Sequence, residues 1–337
     1  MALQRKDIEL KVWVKAITEM PQVTKHEWDH FDVVTKWLIA SRAAVLLMTL
    51  MSCVIAGLFA FHHDSFNALR FGLLCIGLML AHAANNIFND VSDHQRGVDQ
   101  DNAFRTRYGT QPVEQGLMSV REAKRMGWMT LAVGLACGVT LALMVGLQVL
   151  PFVVIGVLLV FGYNWPLKHY GLGEPVVVLV WGPLMVGGGY LSLTGMWSWD
   201  VALVSIPYAL GPTTVLFGKH TDKIPWDAPK GVRTFPVLLG SKASRVLTIL
   251  LMLSQYGMTI GLIVFEVLHP GMLIVAFAAF FLPQVVAVYK EEPPESPPAA
   301  FPDHVWPLWY SAYAFVHFRR FGLLYLAGLA LHLAMSS

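Results

Sequence analysis

Residues 71–99 read FGLLCIGLMLAHAANNIFNDVSDHQRGVD, an apolar run that ends in a dense group of amide and carboxylate side chains. The apolar part has the length of a helix that crosses the hydrocarbon core of a bilayer. Asn86, Asp90 and Asp93 are spaced i, i+4 and i+7, so they share one face if the helix continues. Polar side chains inside a span are costly and usually functional. The segment therefore predicts a membrane helix with a polar site at one end.

The composition of the whole chain agrees with a membrane protein. Of its 337 residues, 55% are hydrophobic and only 14% are charged. Soluble domains are about 25% charged, so this chain has too few polar residues to cover a water-soluble surface. It is also too apolar to be disordered. The net charge of +2 gives no indication of a nucleic-acid partner, and we expect none.

Nine apolar runs are long enough to cross a membrane as helices. They are residues 43–62, 69–89, 126–147, 149–165, 174–195, 200–217, 246–266, 271–289 and 321–336. We therefore expect an all-α polytopic membrane protein.

The distribution of basic residues predicts the orientation of these runs. If the N-terminus is cytoplasmic, only Arg70 of the 24 Lys and Arg residues falls on the outer side. Basic residues are concentrated in cytoplasmic loops of membrane proteins. We therefore expect the N-terminus and the loops that carry the acidic residues to be cytoplasmic.

The first 36 residues are predicted to form a segment of their own. Apolar Leu10, Trp13 and Ile17 alternate with lysines, the pattern of an amphipathic helix on the inner membrane surface. An ordinary solvated tail is the alternative. We expect no secretory signal peptide here, because the segment has no apolar h-region. Residues 37–337 are then predicted to form a single transmembrane domain.

A second group of charged residues follows the sixth apolar run. Residues 219–234 read KHTDKIPWDAPKGVRT. Pro225 and Pro229 predict a loop rather than a continued helix. Helical spacing therefore does not fix the positions of Asp222 and Asp227.

The chemistry of the two acidic groups indicates a phosphate site. The first group contains Asp90, Asp93, Asp99 and Asp101. Carboxylate and amide oxygens bind Mg²⁺, which completes its coordination with water and substrate phosphate. Lys and Arg bind phosphate oxygens directly. Two such groups on one membrane face predict a clamp for a diphosphate, with solvated loop charges that balance each other as the alternative.

Three short motifs resemble the UbiA-type superfamily of intramembrane prenyltransferases. Residues 89–93, NDVSD, match the N-D-x-x-D motif that this superfamily carries after its second helix. The longer spacing to Asp99, with Arg96 and Gly97 before it, is similar to the branch that prenylates 1,4-dihydroxy-2-naphthoate in menaquinone biosynthesis. Residues 171–174, GLGE, resemble the same branch. The resemblance covers roughly residues 36–336.

The second acidic motif departs from the pattern of this branch. Counted back from Gly231, Asp227 stands where the last Asp of the family does. The first Asp of the family falls on Lys223, and Asp222 lies one residue earlier. His220 stands near the position of an upstream Asn.

The resemblance implies a fold of about nine helices around a central cavity, with cap loops on the cytoplasmic side. It implies Mg²⁺ ions held by Asn86, Asn89, Asp90, Asp93, Asp222 and Asp227. Of these, Asp90, Asp93 and Asp227 are the residues expected to be catalytic. The isoprenyl diphosphate substrate would be bound by Asn86, Arg96, Tyr163, Lys168, Lys223, Lys230 and Arg233, of which Arg96, Lys223, Lys230 and Arg233 would bind the diphosphate oxygens.

The implied reaction begins with ionisation of an allylic diphosphate. An aromatic quinol precursor then attacks the cation inside the membrane. Tyr163 could face this cation or anchor the interface, and Glu174 could position the acceptor or be an ordinary acid at a helix start. A membrane terpene cyclase of the same superfamily and a non-enzymatic carrier of phosphate or lipid are the alternatives.

Overall fold

A computed structural model describes residues 2–100, 102, 104, 107–303 and 305–335. Within these residues the secondary structure is helical, and no strand is present. The predicted all-α architecture is therefore confirmed.

The helices are numbered in chain order. Three short helices come first: α1 (Ala2–Thr18), α2 (Lys25–His30) and α3 (Val33–Ala40). The long helices are α4 (Leu46–His62), α5 (Ala68–Gln95), α6 (Val120–Val145), α7 (Leu150–Asn164), α8 (Gly173–Thr194), α9 (Trp199–Asp222), α10 (Ser241–Val264), α11 (the pair Pro270–Ala279 and Leu282–Lys290) and α12 (Trp309–Met335). Two short helices, Ile224–Asp227 and Phe235–Leu239, lie between α9 and α10.

The apolar helices agree with the predicted spans. In the described part of the chain, eight helices are long and apolar enough to cross a membrane, and α11 is a ninth span if its two halves, bent by 47°, are counted together. The largest difference is at the last span, because α12 begins at Trp309 rather than near residue 321. Tyr310 and Phe318 in this extension are buried, so protein packing rather than lipid contact accounts for it. Residue 336 lies outside the described residues.

Local sequence signals determine where several spans begin and end. Ser119 and Glu122 form a reciprocal capping box at the start of α6. The side chain of Asn67 accepts a hydrogen bond from the backbone N–H of Arg70 at the start of α5. Gly195, with a φ of 82°, ends α8 in the left-handed conformation that favours glycine.

Helix α9 lies at the centre of the molecule. In its most apolar stretch 78% is buried, whereas only 17% of the corresponding stretch of α7 is buried. Helix α9 packs against α8, α10 and α12. At Gly218 the backbone of α12 comes so close that an added methyl group would lie 2.8 Å from the Ser311 nitrogen. The absence of a side chain at this position therefore sets the distance between the two helices.

Helix α8 is irregular in its middle. Residues Val180–Gly187 form a π-helical segment, and Gly182 has non-helical φ and ψ of −95° and −106°. Pro183 lies in this segment and cannot donate a backbone hydrogen bond. The hydroxyl of Ser52 on α4 donates to the carbonyl of Trp181 at 3.1 Å, so a neighbouring helix satisfies this polar group.

The N-terminal segment packs against the first two spans. The indole of Trp13 donates to the hydroxyl of Thr35 at 2.8 Å. Leu10, Val14 and Ile17 are each more than half exposed and share one face of α1. This apolar face is compatible with a helix on the membrane surface, while the boundary at residue 36 stays a prediction.

Replacing Gly218 with Ala should destabilise the packing of α9 against α12. The added methyl would lie 2.8 Å from the Ser311 nitrogen and from the Tyr289 hydroxyl. Overpacking of this kind costs about 1–3 kcal/mol. Thermal unfolding in detergent should show a lower midpoint for Gly218→Ala. The control Gly257→Ala, where the new methyl meets no described atom within 4 Å, should unfold like the parent. Equal midpoints for the two variants would contradict the close approach.

Candidate active site

A cavity of about 330 Å³ lies between helices α4 to α9. Most of its wall is apolar, and α6 and α7 contribute residues such as Leu135, Val153 and Gly156. Polar side chains gather where α5, α7 and α9 end, and this region is called the polar end. The polar residues that line the cavity there are Arg42, Asn85, Asn86, Asn89, Asp93, Tyr163, Lys168, Lys219, His220 and Lys223.

Helix α5 continues through the first acidic motif. Because it extends to Gln95, Asn86, Asn89 and Asp93 project from neighbouring turns into the cavity. All three side chains are buried. The amide of Asn86 donates to the carbonyl of Ser41 at 2.8 Å, which ties α5 to the start of the first span.

Lys168 is the cation at the centre of the first motif. Its Nζ lies 2.8 Å from both carboxylate oxygens of Asp93 and 3.2 Å from the amide oxygen of Asn89. The amide group of Asn89 also donates to Asp93 at 3.2 Å. Both charged partners are almost completely buried, and a buried charge is tolerated only when it is paired. Three oxygens therefore converge on one positive charge.

Asp90 lies beside the cavity rather than on its wall. Its Oδ2 accepts a hydrogen bond from the backbone N–H of Val113 at 3.1 Å, and its Oδ1 lies 3.8 Å from Nη2 of Arg42. It therefore attaches the loop after α5 to the first span. Asp99 is buried away from the cavity wall, and Asp101 lies outside the described residues.

In the second motif, Lys223 and Asp227 form a buried ion pair. Their Nζ and Oδ1 atoms are 2.9 Å apart, and the side chains are 2% and 0% exposed. The short helix Ile224–Asp227 brings the two residues together one turn apart. Lys223 lines the cavity, and Asp227 lies behind it.

Asp222 has a different position from the one that the sequence predicted. It is the last residue of α9 rather than part of a loop. Its two carboxylate oxygens accept hydrogen bonds from the backbone N–H groups of Tyr310 and Ser311, at 2.9 and 3.0 Å. These groups belong to the first turn of α12, where N–H groups have no partner within the helix. The structure therefore uses Asp222 as a helix cap and does not place it on the cavity wall that Asp93 lines.

Three residues predicted to bind diphosphate lie away from the cavity wall. Arg96 stacks on the ring of Trp165, with its guanidinium carbon 3.7 Å from the ring centroid. Lys230 donates to the carbonyl of Val98 at 2.8 Å and so holds the loop after α5. Arg233 is exposed. Of the predicted set, Asn86, Tyr163, Lys168 and Lys223 line the cavity.

His169 also packs on Trp165, in the loop after α7. Its ring centroid is 4.9 Å from that of Trp165. Burial lowers the pKa of His169, and the neighbouring ammonium of Lys168 lowers it further. Both effects favour the neutral form of this imidazole.

The sequence interpretation missed two polar residues of this region. Arg42 lines the cavity, has a left-handed φ of 54° and donates to Gln111 at 2.9 Å. In the sequence, the only indication that Arg42 belongs to the site was its position as a basic residue just before the first span. Asn164 donates to the side chain of Asn85 at 3.0 Å and joins α7 to α5. A polar residue at the end of an apolar run was the available signal.

The two motifs differ in how well they suit a metal ion. In the described part of the chain, no three His, Cys, Asp or Glu side chains are arranged to hold a metal. The oxygens of Asn89 and Asp93 nevertheless converge on a cation, the Lys168 ammonium, and they are of the type that Mg²⁺ prefers. The first motif therefore fits a hard cation. In the second motif Asp222 caps α12, so only one carboxylate, that of Asp227, lies beside a lysine of the cavity wall.

Comparison with known proteins identifies the class to which this fold and site belong. The model of the UbiA prenyltransferase family matches residues 50–313, so the chain belongs to the UbiA prenyltransferase family. The superfamily predicted from the sequence is thereby confirmed. The predicted enzyme class, prenyltransferase, is also confirmed, because it is the class of this family. The apolar helices and the family together identify an integral, multi-pass membrane protein.

Individual relatives are distant. The chain is 24% identical over 230 residues to the UbiA prenyltransferase domain-containing protein 1 homolog of Drosophila melanogaster, covering 66% of this chain and 63% of that protein. It is 27% identical over 195 residues to the 1,4-dihydroxy-2-naphthoate octaprenyltransferase of Haemophilus influenzae, covering 54% and 61%. The chain thus matches less than two thirds of the length of these relatives.

A solved structure shows the same fold. The UbiA homolog from Archaeoglobus fulgidus bound to DMAPP and Mg²⁺ superposes with a TM-score of 0.61 at 17% identity, over 87% of this chain and 99% of that chain. The arrangement of the helices is therefore that of a UbiA homolog.

Replacing Asp222 with Ala should lower the stability of the fold. Two N–H groups of α12 would lose their acceptor, and loss of a cap costs about 1–2 kcal/mol. Thermal unfolding in detergent should show a lower midpoint that added Mg²⁺ does not restore. The control Glu295→Ala removes an exposed acid from a loop and should leave the midpoint unchanged. Recovery of the Asp222→Ala midpoint with Mg²⁺ would mean that this residue reaches a metal.

Proposed function

We propose that the chain transfers an isoprenyl group from an allylic diphosphate to an aromatic acceptor within the membrane, in a reaction that requires Mg²⁺. The observation that carries this proposal is one cavity with a long apolar wall and a polar end of buried charges. A hydrocarbon tail matches the wall, and a diphosphate matches the charges. The UbiA homolog bound to DMAPP and Mg²⁺ supports the same assignment of ligand types.

The diphosphate would be bound by cationic side chains at the polar end. Lys168, Lys219, Lys223 and Arg42 all line this part of the cavity. Ammonium and guanidinium groups bind phosphate oxygens through charge-assisted hydrogen bonds. Their attraction is strong here because the surroundings exclude water.

The first motif would hold Mg²⁺ through the oxygens of Asn86, Asn89, Asp90 and Asp93. Bound Mg²⁺ stabilises the negative charge that develops on the leaving diphosphate. With Mg²⁺ held beside Asp93, the ammonium of Lys168 would bind phosphate oxygens. Every buried charge would then stay paired before and after substrate binding.

The second motif would contribute a fixed ammonium rather than a second metal. Lys223 stands where the family pattern has its first Asp, and it lines the cavity. Asp227 is completely buried behind it and holds the ammonium in place. We therefore propose a structural, charge-balancing role for Asp227 in place of metal binding.

The apolar wall would protect the allylic cation that ionisation produces. Leu135, Val153 and their neighbours keep water away from the reacting carbon. Tyr163 lines the cavity close to the polar end, so its ring is available to face the cation. The same wall would accommodate the rest of the isoprenoid, and Gly156 leaves open space there because nothing described lies within 4 Å of a methyl added to it.

The acceptor is proposed to be a quinol precursor of the naphthoate type. The relative from Haemophilus influenzae is named a 1,4-dihydroxy-2-naphthoate octaprenyltransferase, and the GLGE sequence at residues 171–174 resembles the same branch. This acceptor would place the reaction in menaquinone biosynthesis.

The polar end is proposed to face the cytoplasm. The distribution of basic residues, with only Arg70 on the outer side, supports this orientation. In this arrangement α1 lies on the inner surface with Leu10, Val14 and Ile17 toward lipid. Residues 37–337 then form the catalytic domain.

Two measurements separate this function from its alternatives. An enzyme that ionises the donor releases inorganic diphosphate, whereas a carrier of phosphate or lipid does not. A terpene cyclase releases diphosphate without an aromatic acceptor, whereas a transferase yields a prenylated acceptor. Mass spectrometry of products from purified protein with geranylgeranyl diphosphate, Mg²⁺ and a panel of quinol precursors makes both comparisons.

Asp93→Asn and Asp90→Asn should each reduce product formation by about a hundredfold or more. Each removes a negative charge from the first motif, and loss of one such electrostatic contact costs about 3 kcal/mol in the transition state. The measurement is the initial rate of prenylated product at saturating Mg²⁺. The control Asp200→Asn changes an exposed acid at the opposite end of α9 and should keep the parent rate. More than half of the parent activity in Asp93→Asn would remove this motif from the mechanism.

Titration with Mn²⁺ as a substitute for Mg²⁺ should find one bound ion for each chain in the presence of geranyl thiolodiphosphate. Electron paramagnetic resonance of unbound Mn²⁺ gives this number without turnover. Lys223→Asp should raise it to two, because it places a second carboxylate one turn from Asp227. The control Lys242→Asp reverses an exposed charge and should leave the number at one. Two ions bound to the parent protein would contradict the role given to Lys223.

A further inference from the structure

We propose that His220 is the general base that accepts the proton lost by the aromatic acceptor, and that Glu174 positions its ring. This inference rests on the proposed prenyl transfer and adds a residue to it. It comes from a buried pair that neither the diphosphate nor the metal requires.

The pair joins two helices at the polar end. Nδ1 of His220 lies 2.5 Å from Oε1 of Glu174, and the side chains are 2% and 1% exposed. The second carboxylate oxygen of Glu174 accepts a hydrogen bond from the backbone N–H of Phe235 at 3.4 Å. The carboxylate is therefore held from two sides, and it fixes the orientation of the imidazole.

The orientation turns one edge of the imidazole toward the cavity. The two ring nitrogens lie on opposite sides of the ring, and Nδ1 is engaged by Glu174. His220 lines the cavity wall, whereas Glu174 lies behind it. The Nε2 edge is therefore the edge that an acceptor in the cavity would meet. With Nδ1–H donated to the carboxylate, Nε2 carries the lone pair.

This arrangement has the parts that general base catalysis needs. A base must reach the proton that it removes, and a carboxylate on the far nitrogen fixes the tautomer and stabilises the imidazolium that forms. Lys223 and Tyr163 line the same region, so the diphosphate and the acceptor would both lie close to His220.

The step is balanced in atoms and charge. The C–O bond of the allylic diphosphate breaks, and its electron pair leaves with diphosphate. A π electron pair of the aromatic ring forms the new C–C bond. The C–H bond at the attacked ring carbon, next to the carbon that bears the carboxylate, then breaks. Its electron pair restores the aromatic ring and its proton passes to Nε2 of His220, so no oxidant or reductant is needed.

The alternative is a buried ion pair that only ties α8 to α9. Removing one partner of such a pair destabilises the protein and slows all activities together. A base affects the fate of the cation instead, because ionisation continues while transfer to the acceptor slows. The ratio of transfer to ionisation therefore distinguishes the two roles.

The experiment compares the parent protein with His220→Ala, His220→Gln and Glu174→Gln. Each is incubated with geranylgeranyl diphosphate, Mg²⁺ and 1,4-dihydroxy-2-naphthoate, and released diphosphate, prenyl alcohol and prenylated naphthoate are measured. We expect His220→Ala to lose about a hundredfold in prenylated product, the usual contribution of a general base, while diphosphate release falls much less and prenyl alcohol accumulates. Added imidazole should restore part of the transfer. The yield of prenylated product from Glu174→Gln should lie between those of the parent protein and His220→Ala.

The control is His317→Ala. His317 is a buried histidine that hydrogen-bonds to Tyr256 at 2.8 Å outside the cavity, and its loss should leave the ratio of transfer to release unchanged. If diphosphate release and transfer fall in parallel in both His220 variants, without rescue by imidazole, the pair is structural and the inference is wrong. If His220→Gln transfers as well as the parent, the inference is also wrong. If the parent protein releases no diphosphate with any acceptor, the proposed function itself fails.

Discussion

Charge inside a hydrocarbon layer must be paired, and this requirement organises the polar end of the molecule. The ion pairs Lys168–Asp93 and Lys223–Asp227 and the hydrogen-bonded pair His220–Glu174 each join two buried partners within 3 Å. An unpaired carboxylate or ammonium at these positions would cost several kcal/mol. The helices that carry them are therefore held in register by electrostatics, while apolar packing holds the rest of their length. In the proposed reaction, the diphosphate of the substrate would exchange partners within this set.

The sequence predicted the fold more completely than the site. Length and apolar composition are sufficient for spans, and eight of the predicted nine are single helices in the described residues. The early start of α12 was missed because Tyr310 and Phe318 look like interfacial aromatic residues until their burial is known. The local signals for helix ends, such as Ser119 with Glu122, depend on neighbours in sequence and could be interpreted directly. Contacts between segments that are distant in the sequence could not be predicted in this way.

In the site, as in the fold, features that depend on one helix were predictable, and features that depend on contacts between distant segments were not. The motif at residues 89–93 lies on one helix, and Asn89 and Asp93 line the cavity, whereas Asp90 lies beside it, contrary to the face that the spacing predicted. In the second motif, composition alone did not separate Asp222 from Asp227, because their partners lie in different parts of the chain. Lys230 and Arg96 were grouped with phosphate ligands on charge, yet one binds a loop carbonyl and the other an indole ring. Residue type restricts the chemistry, and tertiary contacts select the partner.

The hydrogen bonds of Asp222 also bear on the order in which the protein is made. This carboxylate ends α9, but the N–H groups that it accepts belong to residues 88 and 89 positions later in the chain. Helices fold and insert from the N-terminus during synthesis. The C-terminal end of α9 therefore lacks these two hydrogen bonds until α12 has been made and packs against it. Assembly of this end of α9 is thus coupled to the insertion of α12, although the two partners lie far apart in the chain.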